Sequence, residues 1–226
     1  MGLSLSRRGA DTPRRARRAA GPVGASGVSG VLWDLGNVLI DWDPFPAVAA
    51  GVGEDAARRF FAEVDFGTWN HACDAGMTWA EAVAVLERDH PDHVEAGRAY
   101  PVNFALTLRG EVPGTAAIVR RLHERCVPQF GLTNWSQELF HHAPERYDVL
   151  ELLEDVVVSG AERLAKPDPA IYRLAAERAG LPMGELVFVD DRLANVEAAR
   201  GLGMHGIVFT GADALRAELA ALGLPV

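Results

Sequence analysis

From Pro113 onward, short apolar runs alternate with helical stretches, and few folds accept that order. Pro113 to Arg125 has helical spacing, with Ile118, Val119 and Leu122 on one face. Val127 to Leu132 reads as a strand ending at Thr133-Asn134-Trp135-Ser136, followed by a short helix from Gln137 to Ala143. Val156-Val157-Val158 reads as the next strand and ends at Ser159-Gly160. After Lys166-Pro167, Asp168 is the expected N-cap and Pro169 the first residue of a helix. That helix carries Ile171, Leu174 and Ala175 inward and stops at Gly180. Leu186 to Val189 is a strand ending in Asp190-Asp191, and a helix follows from Arg192 to about Gly201. His205 to Phe209 and Ala212 to Ala221 are the last strand and helix. Right-handed crossovers between such strands predict an α/β fold, a doubly wound parallel sheet with helices on both faces.

An earlier stretch, VLWDLGNVLIDWD from Val31 to Asp43, has a related texture. Val31-Leu32-Trp33 reads as a buried strand that delivers Asp34, and the chain then turns at Gly36-Asn37. Ligands of open parallel sheets bind beyond the carboxyl ends of strands, so an acid there is placed for chemistry. Between Asp43 and Val112 the periodicity is helical throughout, and no strand is predicted. Phe60, Phe61 and Val64 share one helical face; Thr78 with Glu81 resembles a capping box; Pro91 opens a stretch to about Leu108. Asp65, Trp69, Asn70, His71 and Asp74 are the polar and aromatic residues of this block with a chance of facing a substrate.

Composition excludes several classes. The chain has 226 residues, and 49% are hydrophobic, enough for one large core. No apolar run reaches the roughly 20 residues of a membrane span. Residues 1 to 28 hold six arginines and one acid, a balance of +5 against -9 for the whole chain, so the remainder carries -14. An acidic body argues against a nucleic-acid groove and leaves anion binding to a lysine, local dipoles or a metal. The basic segment lacks any apolar period and is expected to be disordered. Cys73 and Cys126 make no disulfide framework; buried free thiols fit a reducing cytoplasm.

Four strand ends now carry polar groups: Asp34, Thr133-Asn134, Lys166, and Asp190-Asp191. Each alone has a structural reading: a turn, a helix cap, or a partner for a helix dipole. Together they converge in a doubly wound sheet. Carboxylates from neighbouring strand ends repel unless a cation lies between them, and three acids suit Mg²⁺. A lysine and a hydroxyl beside them would hold phosphate, with Asp34 as nucleophile.

These residues resemble a haloacid-dehalogenase-like (HAD) hydrolase with a helical cap between its first two motifs. The motifs are Asp34 in WDLGNVLID, Thr133 in GLTNWS, Lys166 in AKPDPAIY, and Asp190-Asp191 in VFVDDRLANVEAARGLGM. The resemblance covers about residues 29 to 210. It implies a Rossmann-like core over 29–43 and 109–226 and a cap over 44–108. It implies a phospho-aspartate on Asp34, with Thr133 and Lys166 catalytic and phosphate contacts from Thr133, Asn134 and Lys166. It implies Mg²⁺ held by Asp34, the Gly36 carbonyl and the acids Asp190 and Asp191, without deciding which of the last two touches metal.

Most phosphatases of this family carry a second aspartate two residues after the nucleophile, where this chain has Gly36. The DLGNV motif resembles a sugar-phosphatase-like subgroup that shares the departure. Asp41, Asp43, His71 or a water are the candidate substitutes. The expected activity is Mg²⁺-dependent hydrolysis of a small phosphate monoester, possibly a sugar phosphate, by a monomer or homodimer. The alternatives are a metal-free 2-haloacid dehalogenase, whose branch also lacks the second acid, and a binding protein that has lost the chemistry.

Overall fold

The computed structural model describes residues 27–226. The basic segment expected to be disordered lies outside these residues up to position 26. Val28, assigned to that segment by sequence, is instead buried, and Ser29 Oγ donates to Glu185 at 2.8 Å.

The strands in chain order are β1 (Gly30–Trp33), β2 (Ile40–Trp42), β3 (Leu108–Glu111), β4 (Gln129–Thr133), β5 (Asp155–Val158), β6 (Leu186–Asp190) and β7 (His205–Val208). Five of them form one sheet in the order β5-β4-β1-β6-β7, every pair parallel. This is the doubly wound α/β fold that the alternation predicts. The chain leaves β1 towards β4 and β5, then returns to its other side for β6 and β7. That reversal puts the switch point at the end of β1, where such sheets bind ligands.

Register decides which residues meet there. Trp33 is level with Gly131 on β4 and with Val189 on β6. Asp34 therefore lies beside Asp190, and the Asp34 N–H donates to the Val189 carbonyl at 2.8 Å. The strands are apolar almost throughout because helices cover both faces. Val31, Trp33, Val187 and Val189 join one core, and Leu32, Phe130, Leu132 and Phe188 join the other. Side chains of a strand alternate between faces, so neighbours in sequence enter different cores.

Five helices stand between β2 and β3: α1 (Phe45–Val52), α2 (Glu54–Glu63), α3 (Phe66–Asp74), α4 (Trp79–Asp89) and α5 (Val94–Val102). The capping box of α4 is present, with Thr78 and Glu81 bonding reciprocally. β3 corrects the expectation of an all-helical stretch to Val112. It pairs antiparallel with β2, and its sequence, Leu-Arg-Gly-Glu, offers a single apolar residue and no alternation. The remaining helices are α6 (Thr115–Glu124), α7 (Ser159–Glu162), α8 (Pro169–Ala179), α9 (Leu193–Gly201) and α10 (Ala212–Ala221). Asp168 caps α8 by accepting from the Ala170 N–H, and Gly180 ends it in the left-handed conformation. Between Gln137 and Ala143 only a three-residue 3₁₀ turn, Phe140–His142, forms. Cys73 is buried as expected, but Cys126 is exposed, because it follows α6 in a left-handed turn.

Gly160 sets how closely β5 meets the loop after β4. A Cβ there would lie 2.6 Å from the Gln137 amide nitrogen and 2.8 Å from the Trp135 carbonyl oxygen, both backbone atoms. Gly160→Ala is expected to cost about 1–3 kcal/mol in denaturant unfolding, the usual range for overpacking. Gly184→Ala, with its nearest neighbour 3.8 Å away, should leave the midpoint nearly unchanged. Equal midpoints for the two variants would mean that the loop yields.

Candidate active site

The site assembles from three strand ends and one connecting segment. Asp34 follows β1, Thr133 ends β4, and Asp190 ends β6 with Asp191 after it. Lys166 arrives from the segment between α7 and α8. The Lys166 Nζ lies 2.8 Å from Asp34 Oδ1, 2.7 Å from Asp190 Oδ2 and 2.9 Å from the Leu132 carbonyl. An ammonium has three N–H donors, and all three are used. The lysine is 2% exposed, so both ion pairs lie out of water.

Asn134 holds the lysine in place. Its Nδ2 donates to the Lys166 carbonyl at 2.9 Å, and its Oδ1 accepts from the Lys166 N–H at 2.8 Å. The family resemblance implies a phosphate contact for Asn134; its side-chain amide bonds the Lys166 backbone through Oδ1 and one N–H, and the residue also lines the cavity described below. Asp190 is fixed as tightly. The Arg192 N–H donates to its Oδ1 at 2.8 Å, and Asn195 Nδ2 lies 3.0 Å from each of its oxygens. Asn195 escaped the sequence reading. Its signal was an asparagine inside a helix, where that residue is unfavourable unless its amide has work elsewhere.

One oxygen from each of Asp34, Asp190 and Asp191 lies within 4.8 Å of the others. This is an all-oxygen donor set with more negative charge than Lys166 can cancel, and it fits a hard dication such as Mg²⁺. The same excess appears in the titration. Burial pushes the Asp34 carboxyl up to about 7, with Lys166 opposing and Asp190 and Asp191 adding to the rise. Asp191 is raised too, by burial and by Asp190. Burial pulls Lys166 down, but Asp34 and Asp190 outweigh it and its pKa is raised.

Above these groups lies a cavity of about 310 Å³ lined by Asp34, Gly36, Thr133, Asn134, Lys166 and Asp191 on the sheet side. The helical block contributes mostly rings. Phe66, Trp79, Tyr100 and Phe104 line the cavity, and Tyr100 lies 5.1 Å from both Phe66 and Trp79 and 5.7 Å from Phe104. Trp42 and Phe61 complete the wall, and its polar members from α3 are Asn70, His71 and Asp74. Two of the suggested substitutes for a second acid do not reach this space. Asp41 and Asp43 are not among the lining residues and pair with Arg109 at 3.5 and 3.0 Å.

A catalytic crevice at the switch point of a doubly wound sheet, with a carboxylate, a buried lysine and further acids, defines a hydrolase of the HAD type. The haloacid dehalogenase-like hydrolase family model matches residues 28–203, and the chain belongs to that family. Protein CbbY of Cereibacter sphaeroides is 37% identical over 191 residues, covering 80% of this chain and 67% of CbbY. The sesquiterpene phosphatase astK of Aspergillus oryzae is 24% identical over 176 residues, 69% of this chain and 90% of astK. The drimenol cyclase drtB of Aspergillus calidoustus is 25% identical over 194 residues, 85% of this chain, and the chain spans 36% of that protein's length. Among solved structures, a HAD family enzyme of Bacteroides thetaiotaomicron in complex with magnesium and inorganic phosphate superposes with a TM-score of 0.64 at 20% identity, covering 82% of this chain and 95% of that one. The L-2-haloacid dehalogenase of Xanthobacter autotrophicus superposes with a TM-score of 0.56 at 18% identity, covering 87% and 84%. Among the described residues no helix is long and apolar enough to cross a membrane.

The raised carboxyls give the fold a pH dependence. The pKa values of Asp34 and Asp74 rise from 3.8 when unfolded to about 7 when folded. Between those values the folded state binds more protons than the unfolded state, so stability falls as pH rises from about 4 to about 7 and then levels off. In the absence of divalent metal, Asp34→Asn should remove one of these contributions and flatten the fall. Urea midpoints at about pH 5 and about pH 8 measure it; the same fall in variant and wild type would overturn it.

Proposed function

We propose that this chain hydrolyses a small phosphate monoester through a phospho-aspartate on Asp34. The observation that carries the reading is the buried Asp34–Lys166–Asp190 arrangement on the floor of a ligand-sized cavity. In this reading an Asp34 oxygen attacks phosphorus, the ester P–O bond breaks, and water then cleaves the acyl phosphate and frees Asp34. Lys166 supplies positive charge to the transferring group, and Thr133 borders the same space. Asp34, the Gly36 carbonyl, Asp190 and Asp191 would hold Mg²⁺, which screens the repulsion between the carboxylate and the phosphate. Asp190 has both oxygens engaged by Lys166, Asn195 and the Arg192 amide. Asp191 is therefore the acid of the pair with more freedom to meet the ion directly.

In the same reading, helices α1–α5 act as the cap that closes over the substrate. Their wall is a continuous run of rings, with Asn70, His71 and Asp74 of α3 as its polar side chains. A polyol would leave the hydroxyls that face the rings unpaired, at a cost of about 1–3 kcal/mol for each one buried. The wall therefore favours a phosphate carried on an apolar group, and a relative that acts as a sesquiterpene phosphatase supports that class. The sugar phosphate suggested by the DLGNV motif becomes the comparison substrate.

Dehalogenation of a 2-haloacid is kept as a second reading by Gly36, since displacement of halide needs no proton donor. Asp191 opposes it, because a third acid near Asp34 and Asp190 has no use in a site without a cation.

Phosphate release from prenyl, aryl and sugar monoesters separates these readings. With Mg²⁺ the wild type is expected to release phosphate, prenyl and aryl esters giving the higher kcat/KM. A chelator or Asp34→Asn should remove that release. Halide release from 2-chloropropionate without metal, and no phosphate from any ester, would overturn the phosphatase in favour of the dehalogenase.

A further inference from the structure

Gly36 leaves the proposed phosphoryl transfer without a proton donor beside the nucleophile, yet the cavity contains a carboxyl from the helical block. Asp74 is the last residue of α3 and is 8% exposed. It lines the same cavity as Asp34, Thr133 and Lys166.

Its position is fixed from both sides. The Asp74 carbonyl accepts from Ser159 Oγ at 2.5 Å, and the same hydroxyl oxygen accepts from the Trp135 N–H at 2.9 Å. The end of α3 is thus tied to the loop that follows Thr133. The Asp74 carboxyl accepts from Asn70 Nδ2 at 3.0 Å. Among the described residues no lysine, arginine or histidine forms an ion pair with it. A carboxyl buried without a counter-ion tends to keep its proton.

The charged groups around it act from a distance. Burial pushes its pKa up to about 7, Arg192 and Lys166 oppose, and Asp34 adds to the rise. Tyr100 and Cys73, its other titratable neighbours, are both held protonated by burial. His71 lies one helical turn before it on α3 and lines the cavity as well. A group that titrates near the working pH can give a proton and take it back.

We propose that Asp74 is the general acid and base that Gly36 does not supply, an assignment that rests on the phosphatase reading. As the Asp34 oxygen bonds to phosphorus and the ester P–O bond breaks, the Asp74 carboxyl proton passes to the departing oxygen. The alcohol leaves and Asp74 becomes a carboxylate. Water then attacks the phosphorus of the phospho-aspartate and gives its proton to Asp74. Cleavage of the Asp34 oxygen–phosphorus bond releases phosphate, returns Asp34 as a carboxylate and leaves Asp74 protonated as at the start.

The experiment is a pre-steady-state measurement with substrate and Mg²⁺ in excess, using an alkyl phosphate and p-nitrophenyl phosphate on wild type, Asp74→Asn, His71→Gln and Asp34→Asn. An alkoxide needs a proton to leave, whereas nitrophenolate does not. Asp74→Asn should slow alcohol release from the alkyl ester about 10²–10⁴-fold and leave the nitrophenol burst within a few-fold of wild type. The burst also reports that the variant is folded, and asparagine keeps an acceptor for Asn70 Nδ2. In wild type, kcat/KM for the alkyl ester should fall as pH rises past about 7, a limb that Asp74→Asn should lack. Equal effects on both esters, no effect on either, or the pattern appearing in His71→Gln instead would overturn the assignment while leaving the phosphatase standing. Wild type with no Asp34-dependent phosphate release from either ester would overturn the phosphatase and Asp74 together.

Discussion

The buried ammonium of Lys166 is the interaction on which the rest of the site depends. It lies between two carboxylates from different strands, with a main-chain carbonyl as its third partner. Bringing Asp34 and Asp190 side by side follows from the register of a parallel sheet, and without a cation between them that register would carry a large repulsive cost. Removing one partner of such a buried set costs about 3–5 kcal/mol, because it strands the charges that remain. The site is therefore part of the architecture as well as its product. The Asn134 clamp on the Lys166 backbone and the Asn195 amide across Asp190 belong to the same arrangement. Each uses a neutral polar side chain to hold a charged one.

Burial has two opposite consequences around this cavity. For Lys166 it is offset by two anions, and the charged form is favoured. For Asp34 and Asp74 it prevails, and both carboxyls move towards neutrality at about 7. The difference is the number and sign of near neighbours, not depth.

The doubly wound sheet was legible because its strands are buried on both faces and read as apolar runs, and because helix signals such as Asp168-Pro169 and Gly180 are local. Asp34, Thr133 and Asp190 were legible because they end such runs, and Lys166 because it stands just before the Asp168-Pro169 helix start. β3 was not, since Leu108–Glu111 is an edge strand whose pairing with β2 comes from a contact far away in sequence. Cys126 was misjudged for a related reason: a helix end looks alike in sequence whether it faces the core or water. The side-chain bonds of Asn134 and the tie between Asp74 and Ser159 join residues 32 and 85 positions apart, a separation that no local pattern records.

The antiparallel pair β2–β3 means that the chain enters and leaves the helical block through adjacent strands. Neighbouring strands run about 5 Å apart, so the whole block hangs from a narrow neck. Its helices can be exchanged, lengthened or repacked without altering the register that puts Asp34 beside Asp190. Selection can thus revise the ring-lined wall and keep the charged floor unchanged. The end of α3 is the exception, because Asp74 is tied there to Ser159 of the core, so this corner of the block is bound to the floor beneath it.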